Sequence, residues 1–209
     1  MPFYSKILNS YVRINATIKR RKIPMKLMFA SDLHGSAYYG RKMLEIYEKS
    51  GASQLIFLGD ILYHGPRNDL PREYAPKEVI AMLNPLKNQI LSVRGNCDTE
   101  VDQMVLEFPI LADYGFLMVD GIRIYATHGH IFNENHLPPV QDGDVLIHGH
   151  THILEAKEIQ AEDGRRVKIL NPGSVSIPKG GNPNTYAILE DGLFSILDLE
   201  GNAVRQIRL

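Results

Sequence analysis

The stretch KLMFASDLHGSAYYGRKMLEIYEKSGASQLIFLGD, residues 26–60, reads as one complete strand–helix–strand unit. "KLMFAS" is a short apolar run, as a strand covered on both faces must be. In "YYGRKMLEIYEKSGA" Met43, Leu44 and Tyr47 fall at helical spacing, and Gly51 sits near the end. "QLIFLGD" is a second buried strand. The pattern continues downstream: "APKEVIAMLNPL", residues 75–86, predicts a helix with Pro76 in its first turn, and "NQILSVRGN", residues 88–96, predicts a third strand. Strands separated by helices imply βαβ units and a mainly parallel sheet.

The second half changes character. "FLMVDGIRIYATHGH", residues 116–130, predicts a hairpin turning at Asp120-Gly121. "DVLIHGH", "ILEAKEIQ", "RRVKILNPGS", "TYAILEDGLFSILDL" and "AVRQIRL" follow, mostly short strands, with "EDG", "EDG" and "EGN" as turns. The expectation is a second sheet packed on the first, with helices outside. No internal repeat, low-complexity tract or inter-domain linker is visible.

Residues 1–24 stand apart. They carry Lys6, Arg13, Lys19, Arg20, Arg21 and Lys22 and no acid. This basic N-terminal extension is expected to lie outside the fold, with Met25 as the natural start and 25–209 as a single domain. The alternative is an Arg-rich targeting or membrane-surface segment. Removing those six cations from the 23 in the chain leaves 17 basic and 24 acidic residues in 25–209, a net of −7. An acidic body is not a footprint for duplex nucleic acid. No apolar run approaches the ~20 residues that cross a bilayer, so no membrane partner is expected. Cys97 is the one cysteine, which excludes an internal disulfide and suits a reducing, cytoplasmic setting.

Each buried strand runs into polar residues at its carboxyl end. These are Asp32 and His34, then Gly59-Asp60, then "RGNCD" (94–98), then "THGH" with His128 and His130, then "HGHTH" (148–152). In α/β sheets, ligand sites gather outside the carboxyl ends of strands, so one crevice could collect all five clusters. Imidazoles with carboxylates suit first-row metal ions. Asp32 and His34 are two apart, as are His150 and His152, so an extended chain would point each pair one way. Asp60 is the candidate to bridge two cations, and Asn96 offers a neutral amide oxygen. Gly149 is read as giving its turn backbone freedom, and His148 as facing away from the ions.

The ordered set Asp32-x-His34, Gly59-Asp60, Gly95-Asn96-x-Asp98, His128-Gly129-His130 and Gly149-His150-Thr151-His152 resembles the calcineurin-like metallophosphoesterase superfamily. "MKLMFASDLHGS", "GDILYHGPRN", "VRGNCD", "DQM" and "NPGSVSIPKGGNP" are similar to its YfcE family of small bacterial phosphodiesterases, over essentially all of 25–209. The resemblance implies a four-layer α/β sandwich of two mixed β-sheets flanked by helices. It implies one divalent ion on Asp32, His34, Asp60 and His152, and a second on Asp60, Asn96, His128 and His150. Manganese is the first choice, with iron, nickel or zinc as alternatives. The activity implied is hydrolysis of a small phosphodiester by a metal-bridging hydroxide.

Many superfamily members carry His where this chain has Cys97, so a proton donor is replaced by a thiol, and activated aryl diesters should be the easier substrates. Asp98 and His130 are further catalytic candidates, and His64 and Arg67 of "YHGPRN" are candidates for substrate binding. A phosphomonoesterase, a small-nucleotide hydrolase on the same site and a non-catalytic scaffold like the retromer subunit are the competing readings.

Overall fold

The computed structural model describes residues 25–209; the basic extension 1–24 lies outside the described residues. Strand β1 (Leu27–Ala30) pairs in parallel with β2 (Gln54–Phe57), setting Met28 beside Leu55 and Phe29 beside Ile56. Helix α1 (Ala37–Ser50) makes the crossover. Ser36 caps it by accepting from the Tyr39 N–H at 3.3 Å, and Gly51 ends it at φ 69°. Helix α2 (Pro76–Leu83) begins on its proline and runs into a 3-10 turn, Asn84–Leu86, before β3 (Ile90–Ser92) pairs in parallel with β2.

The hairpin of β4 (Tyr114–Val119) and β5 (Ile122–Thr127) turns at Asp120 (φ 54°) and Gly121 (φ 87°). Two positive φ values in a two-residue turn match the right-handed twist of the strands it joins. Strands β6 (Val145–Ile147), β7 (Glu155–Gln160), β8 (Arg166–Asn171), β9 (Thr185–Glu190), β10 (Leu193–Asp198) and β11 (Ala203–Arg208) complete the set. One element was not legible in the sequence. A four-residue helix, α3 (Glu100–Gln103), follows Thr99, whose N–H and hydroxyl both donate to Asp102. It is too short to show a periodicity.

Two mixed sheets result. The six-stranded sheet runs β11-β10-β9-β1-β2-β3, and the five-stranded sheet runs β4-β5-β6-β8-β7. The first half does form the expected parallel trio. Strand β9 then returns from the far end of the chain and joins β1 antiparallel, Met28 against Ile188.

Alternation along β1 explains its unbroken apolar run. Leu27 and Phe29 face the second sheet, among Ile124, Ala126, Val145, Ile147 and Leu170, with Phe29 and Phe194 ring centroids 5.8 Å apart. Met28 and Ala30 face the helices, among Met43, Tyr47, Val79 and Leu83. The outer face of the second sheet departs from the expectation of helices outside. Tyr125, Leu146, Val167 and Ile169 are covered there by Leu137 and Val140, which belong to the irregular connection between β5 and β6.

Candidate metal centre

Strands β1, β2 and β3 of one sheet and β5 and β6 of the other each stop within a few residues of a predicted ligand. The chain does not leave them extended. Asp32, His34, Asp60, His150 and His152 all have positive φ, between 49° and 69°. The prediction of convergence therefore stands on a different cause from the one expected. Left-handed kinks, not a pleated strand, turn these side chains to one point. Each such residue costs roughly 1–2 kcal/mol against an ordinary conformation, so the surroundings must hold it. They do. The Ser174 and Ser176 hydroxyls donate to the Asp32 carbonyl at 2.8 and 2.9 Å, the Asp32 N–H donates to Gly59 O at 3.1 Å, and the His34 N–H donates to Asp60 O at 2.9 Å.

Two clusters of ligand atoms share one carboxylate. In the first, His152 Nε2 lies 3.3 Å from Asp32 Oδ1 and 3.3 Å from His34 Nε2. In the second, His128 Nε2 lies 3.2 Å from Asn96 Oδ1 and 3.2 Å from His150 Nδ1. Asp60 Oδ2 stands between them, 3.6 Å from His34 Nε2 and 3.4 Å from His128 Nε2.

The ring nitrogens are oriented for a cation. His34, His128 and His152 each present Nδ1 to a backbone carbonyl, of Tyr63, Leu58 and Ile177, at 2.7 Å. A carbonyl only accepts, so Nδ1 carries the proton and each Nε2 turns a lone pair to the centre. Asp32 Oδ1 is buried without a hydrogen-bond partner. Lone pairs facing one another around an orphaned carboxylate oxygen are satisfied by positive charge, so these residues fit divalent cations.

Without a cation, protons take its place. Burial opposes charge on His128, but the hydrogen bond to Asp60 and the charges of Asp32 and Asp60 outweigh it and raise its pKa to about 9. His34 is raised as well: Asp32 and Asp60 overcome its burial. His150 goes the other way, down to about 4, through burial and the neighbouring His128. Loading must therefore expel protons from His128 and His34. Apparent metal affinity should rise with pH from 7 to about 9, about tenfold per unit for each proton displaced, and level off above that. Calorimetric titration in buffers of different ionisation heat measures the protons released. A pH-independent affinity with no proton release would contradict this assignment. The same shift stabilises the metal-free fold below pH 6.5, a contribution that fades as pH rises through about 9.

Gly149 and the motif glycine Gly95 act by size. Gly149 does not adopt positive φ; a Cβ there would meet Ser31 Oγ at 1.9 Å and Asp32 Oδ2 at 2.8 Å. A Cβ on Gly95 would meet Asp60 Oδ1 at 2.1 Å. Backbone of one strand end touches ligand of another, which only glycine permits.

The remaining candidates divide. Cys97 Sγ lies within 4.8 Å of ligand atoms of His34 and Asp60 and accepts from the Asn96 amide at 3.2 Å. Arg67 lines the cavity over the centre. His130 is not among the residues lining that cavity; its ring centroid lies 5.4 Å from His128 and 6.2 Å from His150, with Nδ1 buried and unpaired. Asp98 is in neither ligand cluster. Its carboxylate accepts from the N–H groups of Asp60, Ile61 and Gly95 at 2.9, 2.9 and 2.7 Å, tying two strand ends together. His64 is not on the cavity wall; its ring stands edge-on between Tyr63 and Tyr74, at 4.8 and 5.2 Å. His148 is buried, with Nδ1 3.0 Å from Gly149 O, and is no part of either cluster. Sequence reasoning missed Ser31, whose hydroxyl donates to Asp32 Oδ2 at 2.6 Å, together with Ser174, Ser176 and the cavity-lining Asn68 and Lys179. The serines carried no signal beyond the composition of a loop.

Among the described residues no helix is long and apolar enough to cross a membrane. Residues 25–191 match the family model described as Calcineurin-like phosphoesterase superfamily domain. Phosphodiesterase YfcE of Escherichia coli K12 is 47% identical over 180 residues, covering 86% of this chain and 95% of that protein. The solved structure of the E. coli phosphoesterase YfcE superposes with a TM-score of 0.84 at 46% identity, over 88% of this chain and 99% of that one. Vps29 of Entamoeba histolytica, solved in complex with zinc, shares the fold at a TM-score of 0.51 and 19% identity, over 88% of this chain and 98% of that one. Motifs, paired ligand clusters and matches agree: the chain belongs to the calcineurin-like phosphoesterase superfamily, within its YfcE family.

Proposed function

We propose that this chain is a metal-dependent phosphodiesterase with a dinuclear centre. One observation carries the reading: Asp60 Oδ2 serves two ligand clusters at once, 3.6 Å from one histidine and 3.4 Å from the other. Asp32, His34, Asp60 and His152 would hold one ion, and Asp60, Asn96, His128 and His150 the other, with manganese as the proposed metal. When bound, the two cations supply an activated water and neutralise charge on the phosphoryl group. The name of the relative at 47% identity supports a diester as substrate.

This chain's own groups supply the rest. Asp98 is a positioning residue: it fixes the Asp60 and Gly95 backbone, and thereby the shared carboxylate. The His130 pKa is lowered by burial and then by His128 and Arg94, so its ring is neutral at pH 7 and can donate one hydrogen bond to a phosphoryl oxygen. Arg67 lines the cavity over the centre as a cation for an anionic substrate. His64 supports the loop that carries Arg67: its carbonyl accepts from Asn68 Nδ2 at 2.9 Å. A cytoplasmic setting fits the free thiol of Cys97.

In the metal-free protein burial, the largest cause, and the carboxylates of Asp60, Asp98 and Asp32 push the Cys97 thiol far above its ordinary range, and the burial remains when metal binds. A donor so reluctant to lose its proton gives little help to an alkoxide leaving group. Cys97→Ser should therefore leave the dependence of rate on leaving-group pKa nearly unchanged. Cys97→His should flatten it, raising turnover of alkyl diesters about 10²-fold relative to aryl ones. An aryl and alkyl diester series measures this, and a loss in Cys97→Ser concentrated on the alkyl diesters would show instead that Cys97 does donate a proton.

The reading as a whole is tested by stripping the purified protein with a chelator, reloading it with Mn, Fe, Ni or Zn, and assaying a chromogenic diester beside the matching monoester. The expected result is about two ions per chain and diester turnover that returns only with metal. Undiminished turnover by the stripped protein, or preference for the monoester, would defeat it.

A further inference from the structure

Arg67 and Lys179 reach into one cavity of about 350 Å³ that also exposes Asp60, Asn96, His150 and His152. They come from different loops, and both backbones are braced. The Lys179 N–H donates to the carbonyl of the ligand His152 at 3.0 Å, and Asn68 donates to Gly65 O at 3.3 Å across the turn that carries Arg67. Neither side chain has a carboxylate partner. Most other cations of the described residues are paired, as Lys26 is with Glu190, Arg94 with Asp113, Arg123 with Asp144 and Lys168 with Glu158; Lys77, Arg205 and Arg208, which also have no carboxylate partner, are exposed and line no part of this cavity. In a body with a net charge of −7, carboxylates are not scarce. Two unpaired cations facing one cavity are therefore a feature of that cavity.

Charge balance says what they face. Two divalent cations against Asp32, Asp60 and an attacking anion leave one positive charge, which the single charge of a phosphodiester already meets. Arg67 and Lys179 add two more. We propose that Arg67 and Lys179, with Asn68 and Thr151 beside them, form a subsite for a second anionic group. The substrate class is then a phosphodiester with a carboxylate or phosphate on one ester arm. A cavity of this size holds the scissile phosphate and such an arm together. The inference rests on the dinuclear reading and deepens it.

The test uses the metal-loaded full chain and p-nitrophenyl phosphodiesters whose second arm is ethyl, 2-carboxyethyl, 2-phosphonooxyethyl or 2-aminoethyl. The anionic arms should be preferred over ethyl by about tenfold in kcat/KM, falling as salt is raised. The arm with the larger ratio identifies the anion. Lys179→Gln and Arg67→Gln should each reduce the ratio of anionic to ethyl arm, and Lys179→Glu should turn the preference toward the 2-aminoethyl arm. A merely structural role for either residue would change all arms together. Calorimetry supplies a readout apart from turnover: 2-carboxyethyl phosphate should bind about tenfold tighter than ethyl phosphate, and lose that margin in Lys179→Gln. Ratios near one in the parent protein, or ratios that survive the substitutions, would overturn the subsite. Loss of turnover on every arm would instead count against the phosphodiesterase reading, and the calorimetric comparison would still decide this one.

Discussion

Asp60→Asn is expected to lower diester turnover by about 10³-fold or more and to leave at most one ion per chain. The reason is the orientation of a single side chain. Asp60 Oδ1 accepts from the Cys97 N–H at 2.8 Å, while Oδ2 faces His34 and His128. An asparagine has one oxygen. If that oxygen keeps the buried Cys97 N–H satisfied, the amide NH2 points where two cations would sit, and a donor there repels them. If the amide flips, the Cys97 N–H is left facing another donor. Either way the bridge is lost, although shape is conserved and the metal-free fold should persist. Metal content by mass spectrometry, turnover, and circular dichroism of the metal-free proteins separate loss of the bridge from unfolding. Two ions per chain together with undiminished turnover would show that Asp60 is not the shared ligand.

Gly149→Ala is the second large effect. The added methyl would sit 1.9 Å from Ser31 Oγ and 2.8 Å from Asp32 Oδ2, and the Gly149 N–H is meanwhile held to His128 O at 2.8 Å. The segment cannot slide without carrying His150 with it, because the His150 N–H donates to Asp32 Oδ2 at 3.1 Å. A ligand displaced by about 1 Å costs on the order of 10² in rate, and overpacking of this kind costs about 1–3 kcal/mol of stability. Adding Ser31→Ala removes the closest atom and should recover part of both losses, a coupling that a double-mutant cycle quantifies. Wild-type turnover by Gly149→Ala alone would mean the strand ends are looser than the structure shows.

These two variants mark the boundary of what could be read in advance. That Asp60 stands between the two ligand clusters was legible, since a carboxylate after Gly59 at a strand end is a familiar position for a shared ligand. That Gly149 is needed was legible too, but for the wrong reason. Flexibility was the expectation, whereas the structure requires the absence of a Cβ against Asp32, 117 positions away in the chain numbering. Asp98 and His64 were similarly named from their motifs. The structure puts Asp98 behind Asp60 on three backbone N–H groups and His64 between two tyrosines. Lys179 was hidden because an exposed lysine in a Gly- and Pro-rich loop looks like any other.

The sequence by itself determined the elements and the chemistry. Apolar runs, helical spacing, Asp-Gly turns and five ordered clusters of ligand types are local properties, set by side chains within a few residues of one another. Only the tertiary structure decided that β9 lies beside β1, that loop residues and not helices cover the outer face of the second sheet, that five candidate ligands sit in left-handed kinks, and that two unpaired cations share the cavity. Those outcomes depend on contacts between segments far apart in the chain. Which strand fills the open edge of a sheet, and how tightly two backbones approach, follow from packing the whole core and not from any one stretch of residues.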